Sequence, residues 1–365
     1  MKNLLKNRQK LKFLTFIIPQ MVKSFFIDQK SGCFYSQCFK KATSYHLNHG
    51  GDGEGMEKGL EPPVVVGLGQ VCVDYVGRLP AYPPEDTKAE LKELRMSCGG
   101  PAATAMTALS RWGVSTSLLS GISDDYFGCK ISETLEKEGV DTAHLKMVPG
   151  CASQFAFIAV TTDGGKRTVF WNPCSVPPFA PEEIRLERFS GARILHVDGW
   201  MLDASIIAAE QAKALGWTVV MDAGTLRHGT LDLVSHVDVL IASKTFAHPL
   251  VGAETPKEEA LQRLSELGPG QVVITLGAKG SIGLSNGKIV YRPAFQIVSK
   301  DTTGAGDVYH GAYIYGLLKG WQMPECMAFA SAAAALKCQK GGGWRGIPTL
   351  GDIQTFMDVS GSTPL

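Results

Sequence analysis

The sequence predicts an α/β fold in which helices cover both faces of a mostly parallel sheet. Apolar, strand-like runs alternate with helical runs from residue 193 to residue 276, the order in which crossover helices join parallel strands. Two more strand-like runs flank the turn at 162–166 and indicate a hairpin in a small separate sheet. Hydrophobic residues make up 44% of the 365 residues and charged residues 19%, which excludes a fibrous or wholly disordered chain.

The individual elements follow from apolar runs and the glycines that end them. Residues 64–69 form an apolar strand that ends in a glycine turn, and Gly113 and Gly139 end the first two helices. Further strands are predicted over 114–119, 155–160, 168–171, 193–197, 218–222, 237–241, 272–276 and 295–298. Helices are predicted over 101–112, 124–139, 204–215, 256–267, 311–318 and 324–337. Residues 75–96 are expected to join the hairpin in the small sheet.

Composition predicts an N-terminal extension (1–60), a folded region (61–350) and a C-terminal tail (351–365). The first fifty residues carry nine Lys and Arg and a single acid, Asp28, and a glycine-rich linker follows at 48–55. A basic, acid-poor leader is typical of a disordered extension or of an organelle transit peptide. We therefore expect a cytoplasmic protein, or a plastid or mitochondrial one if the leader is a transit peptide.

Charge and cysteine content argue against several kinds of partner. The chain has 36 Lys and Arg against 35 Asp and Glu, a net charge of +1, so no overall field attracts nucleic acid. Its nine cysteines show no CxxC spacing, which argues against a zinc site or disulfide framework and indicates a reducing compartment. No apolar stretch reaches the roughly 20 residues that a membrane helix needs, so no membrane partner is predicted.

The strongest chemical signal is the heptapeptide DTTGAGD at 301–307, which precedes a helical run. Gly304, Ala305 and Gly306 clear space at the helix entrance, where unpaired backbone N–H groups and the positive end of the helix dipole can hold phosphate charge. Asp307 falls in the first turn, which stabilises a carboxylate able to take a proton from an attacking hydroxyl. The pattern alone also fits a glycine-rich turn with an aspartate helix cap.

The heptapeptide resembles the signature of the ribokinase-like (PfkB) carbohydrate kinase family, and further motifs in the expected order extend the resemblance over about 64–349. The resemblance implies a ribokinase-like, doubly wound core with a small β-sheet lid formed by about 75–97 and 151–172, a lid that often serves as a homodimer surface. It also implies that the protein transfers phosphate from ATP, with Mg²⁺, to a hydroxymethyl group of a sugar or sugar-like metabolite. Asp307 would be the base, and the amides of Gly304, Ala305 and Gly306 would form the anion hole.

On the substrate side, the resemblance assigns Asp74, Gly99, Gly100 and Thr104. A carboxylate such as Asp74 can accept hydrogen bonds from two neighbouring sugar hydroxyls, and paired glycines before a helix allow a hydroxyl-rich ligand to approach closely. The family usually has Asn where Thr104 stands, and a single hydroxyl contacts fewer groups than an amide. This departure puts the identity of the substrate in doubt more than the fold.

On the nucleotide side, the segment TLGAKG at 275–280 matches the turn that holds ATP in the family. Thr275 offers a hydroxyl to a phosphate, Gly277 and Gly280 let the backbone approach the nucleotide, and Lys279 lies between them. The triple glycine at 341–343 is expected to close the nucleotide pocket, or simply to end a helix.

One departure from the family affects metal handling. Where the family commonly has Asn-x-x-Glu, this chain has SKTF at 243–246, and Phe246 cannot orient a metal-bound water. Either other groups place the metal or turnover is weak, so the metal ligands stay unknown. One hypothesis is that Lys244 replaces part of the metal's charge.

Other motif residues have weaker assignments. Asp124 and Asp125 are best explained as acids at a helix N-terminus, and Arg167 as a solvated turn charge. Asp222 is expected to line the site, and His310 has no required role.

Two alternatives to a sugar kinase stay open. One is a nucleoside kinase of the same family. The other is a catalytically weak pseudokinase that binds nucleotide or sugar as a regulatory subunit, which the missing Asn-x-x-Glu favours and the presence of Asp307 opposes.

Overall fold

The computed structural model describes residues 62–162 and 167–360. Its strands are β1 (Val65–Leu68), β2 (Cys72–Leu79), β3 (Glu93–Gly99), β4 (Thr116–Leu119), β5 (Gly121–Ile122), β6 (Lys146–Met147), β7 (Phe155–Thr161), β8 (Arg167–Asn172), β9 (Ile194–Val197), β10 (Thr218–Ala223), β11 (Val239–Ser243), β12 (Gln271–Thr275), β13 (Ser281–Ser285) and β14 (Lys288–Arg292). Its helices are α1 (Pro101–Arg111), α2 (Tyr126–Lys137), α3 (Leu202–Ala214), α4 (Thr230–Val234), α5 (Lys244–Val251), α6 (Lys257–Ser265), α7 (Ala305–Leu318), α8 (Met323–Lys340) and α9 (Leu350–Val359).

The main sheet has eight strands in the order β14-β13-β12-β11-β10-β9-β1-β4. The six strands from β12 to β4 run parallel, and β13 and β14 add an antiparallel hairpin at one edge. Alternate residues of each parallel strand enter two separate apolar cores: Val65 packs on the α1, α7 and α8 side, and Val66 on the α3, α5 and α6 side. Burial on both faces explains why these strands are continuous apolar runs in the sequence.

The smaller sheet, which we call the lid sheet, consists of β3, β2, β7 and β8 in that order. Strand β2 pairs antiparallel with β3 and parallel with β7, and β7 and β8 form the expected hairpin. Two arginines of this sheet reach the loop before α7: Arg78 donates to the Lys300 carbonyl at 3.4 Å and Arg167 to the Thr302 carbonyl at 3.1 Å. The lid sheet therefore contacts that loop directly.

The topology places the ends of several strands at one edge of the main sheet. Strands β9, β10, β11 and β12 are parallel, so their carboxyl ends meet there, and ligands of open α/β sheets bind outside such ends. The first turns of α7 lie at the same edge, because His310 contacts the Ile241 carbonyl of β11 at 3.3 Å.

Two predicted segments differ in the structure. Residues 295–298 form no strand, because Pro293 follows β14 without a donor N–H and Val298 is 82% exposed. The segment 351–365 is not wholly a tail, since α9 runs to Val359 and buries Ile353 and Met357, one turn apart.

The predictions for the extension (1–60), for the turn at 163–166 and for the end of the tail fall wholly or mostly outside the described residues and stay predictions. Within the described ranges, no helix combines the length and the apolar character needed to cross a membrane.

Candidate active site

Helix α7 is preceded by a glycine, Gly304, whose backbone conformation few other residue types adopt. Gly304 is the residue before the first helical turn and has φ +75°, in the left-handed region. A methyl group built on it would meet Lys337 Cε at 3.7 Å, Thr104 Cγ2 at 3.8 Å and Asp307 Oδ2 at 3.9 Å, which are ordinary contact distances. Conformation rather than space therefore requires glycine here.

The predicted anion hole is only partly free of protein partners. The Ala305 N–H donates to the Thr302 carbonyl at 3.2 Å. The N–H groups of Gly304 and Gly306 donate to no backbone carbonyl in the described part of the chain, and a methyl group on Gly306 would meet nothing within 4 Å. Two of the three predicted amides are therefore available to an anion at the positive end of the helix.

Asp307 lies in the first turn of α7, beside these amides. Burial raises the pKa of Asp307, while the nearby His310, Arg167 and Lys337 act to lower it. Asp74 and Asp222 both lie within electrostatic reach of Asp307. The sequence motif and two distant carboxylates thus meet in one place.

Asp74 is a buried carboxylate on β2 that faces Gly99 across the lid sheet. A methyl group on Gly99 would collide with the Asp74 carboxylate, so this glycine makes room for Asp74 rather than directly for a ligand. Gly100 has φ +98°, and a methyl group there would collide with the Gln70 carbonyl. Burial, together with the negative charge of Asp307, raises the pKa of Asp74 to about 6. The hydrogen bond from the Cys72 thiol acts in the opposite direction.

Thr104 is placed differently from the sequence expectation of a substrate ligand. Its side chain is buried in α1, and its hydroxyl accepts a hydrogen bond from the Trp344 indole at 2.8 Å. The hydroxyl therefore ties α1 to the segment after the triple glycine. Its methyl group still lies close to Gly304, so Thr104 shapes the wall behind the anion hole.

The TLGAKG turn lies at the carboxyl end of β12. Thr275 ends the strand and donates its hydroxyl to the Ala242 carbonyl at 3.3 Å. Gly277 has φ +60° and open space around it, and Lys279 is exposed. Gly280 has φ +91°, and a methyl group there would collide with the Arg292 carbonyl. Gly277 and Lys279 face solvent as an approaching ligand requires, whereas Gly280 serves the packing of β13 and β14.

Two buried groups to which the sequence gave a minor role or none meet beside the first turns of α7: His310 on α7 itself and Asp222 on β10. His310 Nδ1 lies 2.7 Å from the Gly306 carbonyl and 3.4 Å from Asp222 Oδ2. Burial raises the pKa of Asp222, and the charge of Asp307 adds to the rise while His310 opposes it. That Asp222 lines the site stays a prediction, and His310 connects Asp222 to the first turn of α7.

Asp198 was missed altogether because no local motif marks it. It follows β9, and its carboxylate accepts from the N–H groups of Gln70 at 2.7 Å, Trp200 at 3.0 Å and Ala102 at 3.3 Å. It joins the β1–β2 turn to the N-terminus of α1, and Gly69 leaves the space that it fills.

The SKTF segment presents no carboxylate at the edge of the sheet. Ser243 donates its hydroxyl to the Gly224 carbonyl at 2.8 Å and accepts from the Phe246 N–H at 3.1 Å, which caps α5. The Phe246 side chain is fully buried in the core, and Lys244 is exposed.

Arg167 is exposed, in keeping with the expected solvated charge, but it also has protein partners. Its guanidinium donates to the Thr302 carbonyl at 3.1 Å and lies within electrostatic reach of both Asp74 and Asp307.

The pfkB family carbohydrate kinase model matches residues 64–350. The chain belongs to this family. Among curated relatives, a nucleoside kinase of Methanothermobacter thermautotrophicus is 28% identical over 82% of this pfkB chain and 97% of its own length. A ribokinase of Haemophilus influenzae is 27% identical over 80% of this chain and 97% of its own. The protein is thus a phosphotransferase of the carbohydrate kinase type, and the predicted family is confirmed.

Solved structures confirm the predicted ribokinase-like fold of this pfkB kinase. Arabidopsis thaliana ribokinase, solved with ribose and ATP, has a TM-score of 0.70 and 25% identity over 81% of this chain and 98% of its own. An Escherichia coli protein described as ribokinase II, solved with ATP and Mg²⁺, has a TM-score of 0.71 and 22% identity over 81% of this chain and 99% of its own.

Proposed function

We propose that this pfkB kinase transfers the terminal phosphate of ATP to a hydroxymethyl group of a sugar or sugar-like metabolite. The observation that carries the proposal is the position of the Asp307 carboxylate in the first turn of α7, beside the amides of Gly304 and Gly306, which have no protein acceptor among the described residues. A base and an anion site side by side are what transfer of phosphate to an alcohol requires.

In the proposed reaction, Asp307 accepts the hydroxyl proton as the oxygen attacks the terminal phosphorus of ATP, and the bond from that phosphorus to the departing ADP breaks. The Gly304 and Gly306 amides, at the positive end of α7, stabilise the charge of the transferring group. Asp74 accepts hydrogen bonds from neighbouring hydroxyls and thereby orients the acceptor. The lid sheet excludes water, which limits wasteful hydrolysis of ATP.

The nucleotide is proposed to lie along the turn at 275–280, where the open backbone at Gly277 permits close approach. Within the described ranges, no three His, Cys, Asp or Glu side chains cluster as a metal-ligand set. Mg²⁺ is usually bound by one or two carboxylates together with substrate phosphates and water, and Asp222 can supply one carboxylate. When bound, the metal would neutralise phosphate charge.

A phosphate-transfer screen over pentoses, hexoses, ketoses and nucleosides tests the proposal. We expect one sugar class to be phosphorylated in an ATP-dependent manner, well above hydrolysis measured without acceptor. A clear preference for nucleosides would favour the nucleoside kinase alternative, which the similarity to the Methanothermobacter enzyme supports. Nucleotide binding without transfer to any acceptor would favour the pseudokinase alternative and contradict our proposal.

The rate is expected to fall in acid because Asp74 accepts hydrogen bonds from two hydroxyls through both of its oxygens only when it is ionised. Burial raises the pKa of Asp74 to about 6, and burial of Asp307 shifts its pKa in the same direction. We therefore expect kcat/KM for the acceptor to decline as the pH falls through about 6, whereas an exposed aspartate would keep it constant to about pH 4. A pH profile from 4.5 to 8 checks this, and a flat profile down to pH 4.5 would contradict it.

We also propose that two copies associate through their lid sheets. Strand β8 is an edge strand of the lid sheet, all its residues are exposed, and they include Val169, Phe170 and Trp171. Open edges with apolar side chains favour pairing with another chain. In analytical ultracentrifugation, we expect the wild type to sediment as a dimer and the Phe170→Lys variant as a monomer. A monomeric wild type would refute the association.

A further inference from the structure

Lys337 of α8 is a charged side chain with no exposure to solvent. A buried ammonium is costly unless it is paired and hydrogen-bonded. Its Nζ donates to the Thr303 carbonyl at 2.8 Å, and Asp301 and Asp307 lie within electrostatic reach. Burial lowers the pKa of Lys337, and both carboxylates oppose the shift. The buried face of a helix is ordinarily filled with apolar residues. The presence of an ammonium group on the buried face of α8 therefore points to a specific role.

The carbonyl that Lys337 holds belongs to the same peptide unit as the Gly304 N–H. Every described peptide bond is trans, so a carbonyl and the following N–H point in opposite directions within one plane. Fixing the Thr303 carbonyl toward Lys337 therefore fixes the Gly304 N–H away from it. That N–H is one of the two amides without a protein acceptor in the described part of the chain.

The preceding peptide unit is also held from two sides. The Thr303 N–H donates to Asp301 Oδ1 at 2.9 Å, and the Thr302 carbonyl accepts from Arg167 at 3.1 Å. Asp301 Oδ2 in turn accepts from the Gly342 N–H at 3.2 Å, so the triple glycine supports the same loop. Arg167 belongs to the lid sheet, whereas Lys337 and Asp301 belong to the body of the domain. Lys337 therefore holds its peptide unit whether or not the lid sheet is closed.

We propose that Lys337 is a positioning residue for phosphoryl transfer: it orients the Thr303–Gly304 peptide so that the Gly304 amide faces the transferring group. This inference rests on the proposed kinase function. Lys337 does not touch substrate, because its whole side chain is buried; it acts through the backbone of Gly304. Loss of the ammonium lets this peptide rotate and removes one donor from the anion hole, while ATP and acceptor keep their other contacts.

The central test compares Lys337→Met with the wild type. Methionine keeps an unbranched apolar stem but removes the charge and the hydrogen bond to Thr303. Loss of one preorganised donor of an anion hole typically lowers kcat about 100-fold or more. We expect kcat to fall by about that factor, with KM for ATP and for the acceptor changing less than about threefold. Titration with ADP is expected to show unchanged affinity, and the thermal midpoint shows whether the fold is kept.

Lys340→Met is the matched control, since Lys340 lies on the same helix and pairs with Asp352 at the surface, 2.7 Å away. It is expected to keep wild-type kcat. In Lys337→Ala, added ammonium is expected to restore part of kcat, and tetramethylammonium at equal ionic strength is not. This rescue decides the question if the methionine variant does not fold.

The outcomes separate the two proposals. Two results with an active wild type would overturn the positioning role and leave the kinase assignment intact. One is full kcat in Lys337→Met, and the other is an equal increase in KM for ATP and for the acceptor with kcat retained. A Lys337→Ala variant with low kcat and no ammonium rescue, beside a Lys337→Met variant that does not fold, would also overturn it. A wild type that phosphorylates no acceptor would overturn the proposed function and the role of Lys337 together.

Discussion

Asp307→Asn is expected to lower kcat by roughly 100- to 10,000-fold, the range in which a positioned general base contributes. The substitution is nearly isosteric, and asparagine can still lie in the first turn of α7, so the anion hole should keep its shape. The amide cannot take the hydroxyl proton as the oxygen attacks. Because Asp307 acts on the proton rather than on binding, KM for ATP and for the acceptor should change little. Steady-state kinetics with the acceptor identified by the screen measure this.

Asp352→Asn is the matched control for this change. Asp352 occupies the first turn of α9, where it caps the helix together with Thr349, so the same chemical change is made at another helix N-terminus. It is expected to reduce stability slightly and to leave kcat unchanged. If Asp307→Asn kept more than half of the wild-type kcat, Asp307 would not be the base, and transfer would have to proceed without one.

The parts of the fold that could be predicted were those with a strong local pattern. The central strands are buried on both faces, so their apolar runs identify them whatever surrounds them. Strands β13 and β14 were not predicted, because most of their residues are polar or exposed and β14 lies at the sheet edge. Helix α9 lies in the predicted tail although Leu350, Ile353, Phe356 and Met357 recur at helical spacing and Thr349 caps the helix. A local signal for this helix was therefore present in the sequence.

The residues of the candidate site likewise divide into those that a local pattern identifies and those that only distant contacts explain. The heptapeptide at 301–307 could be interpreted because turn, helix start and base are neighbours in sequence. Lys337 and Asp198 could not, because the partners that explain them lie 34 and 128 residues away. Gly99 was predicted to let a ligand approach, but a methyl group there would collide with Asp74, and only the pairing of β2 with β3 reveals that contact.

Gly280→Ala is expected to destabilise this kinase strongly, whereas Gly277→Ala in the same turn is expected to be tolerated. A methyl group on Gly280 would collide with the Arg292 carbonyl and lie 2.6 Å from the Ala294 nitrogen. Both obstacles are backbone atoms, so β13 or the segment after β14 must move. Overpacking of this kind and a positive φ for alanine together cost about 3 kcal/mol or more. Denaturant unfolding monitored by circular dichroism measures the loss.

Gly277 provides the comparison because it shares the positive φ without the collision. A methyl group there meets no described atom within 4 Å, so only the conformational cost of about 1 kcal/mol is expected. The open space is also where we propose that the nucleotide passes, so Gly277→Ala should raise KM for ATP several-fold at nearly unchanged stability. Gly280→Ala should raise it only through loss of the folded turn. Equal destabilisation by the two variants would show that backbone conformation alone, and not the contact with β14, makes glycine necessary at position 280.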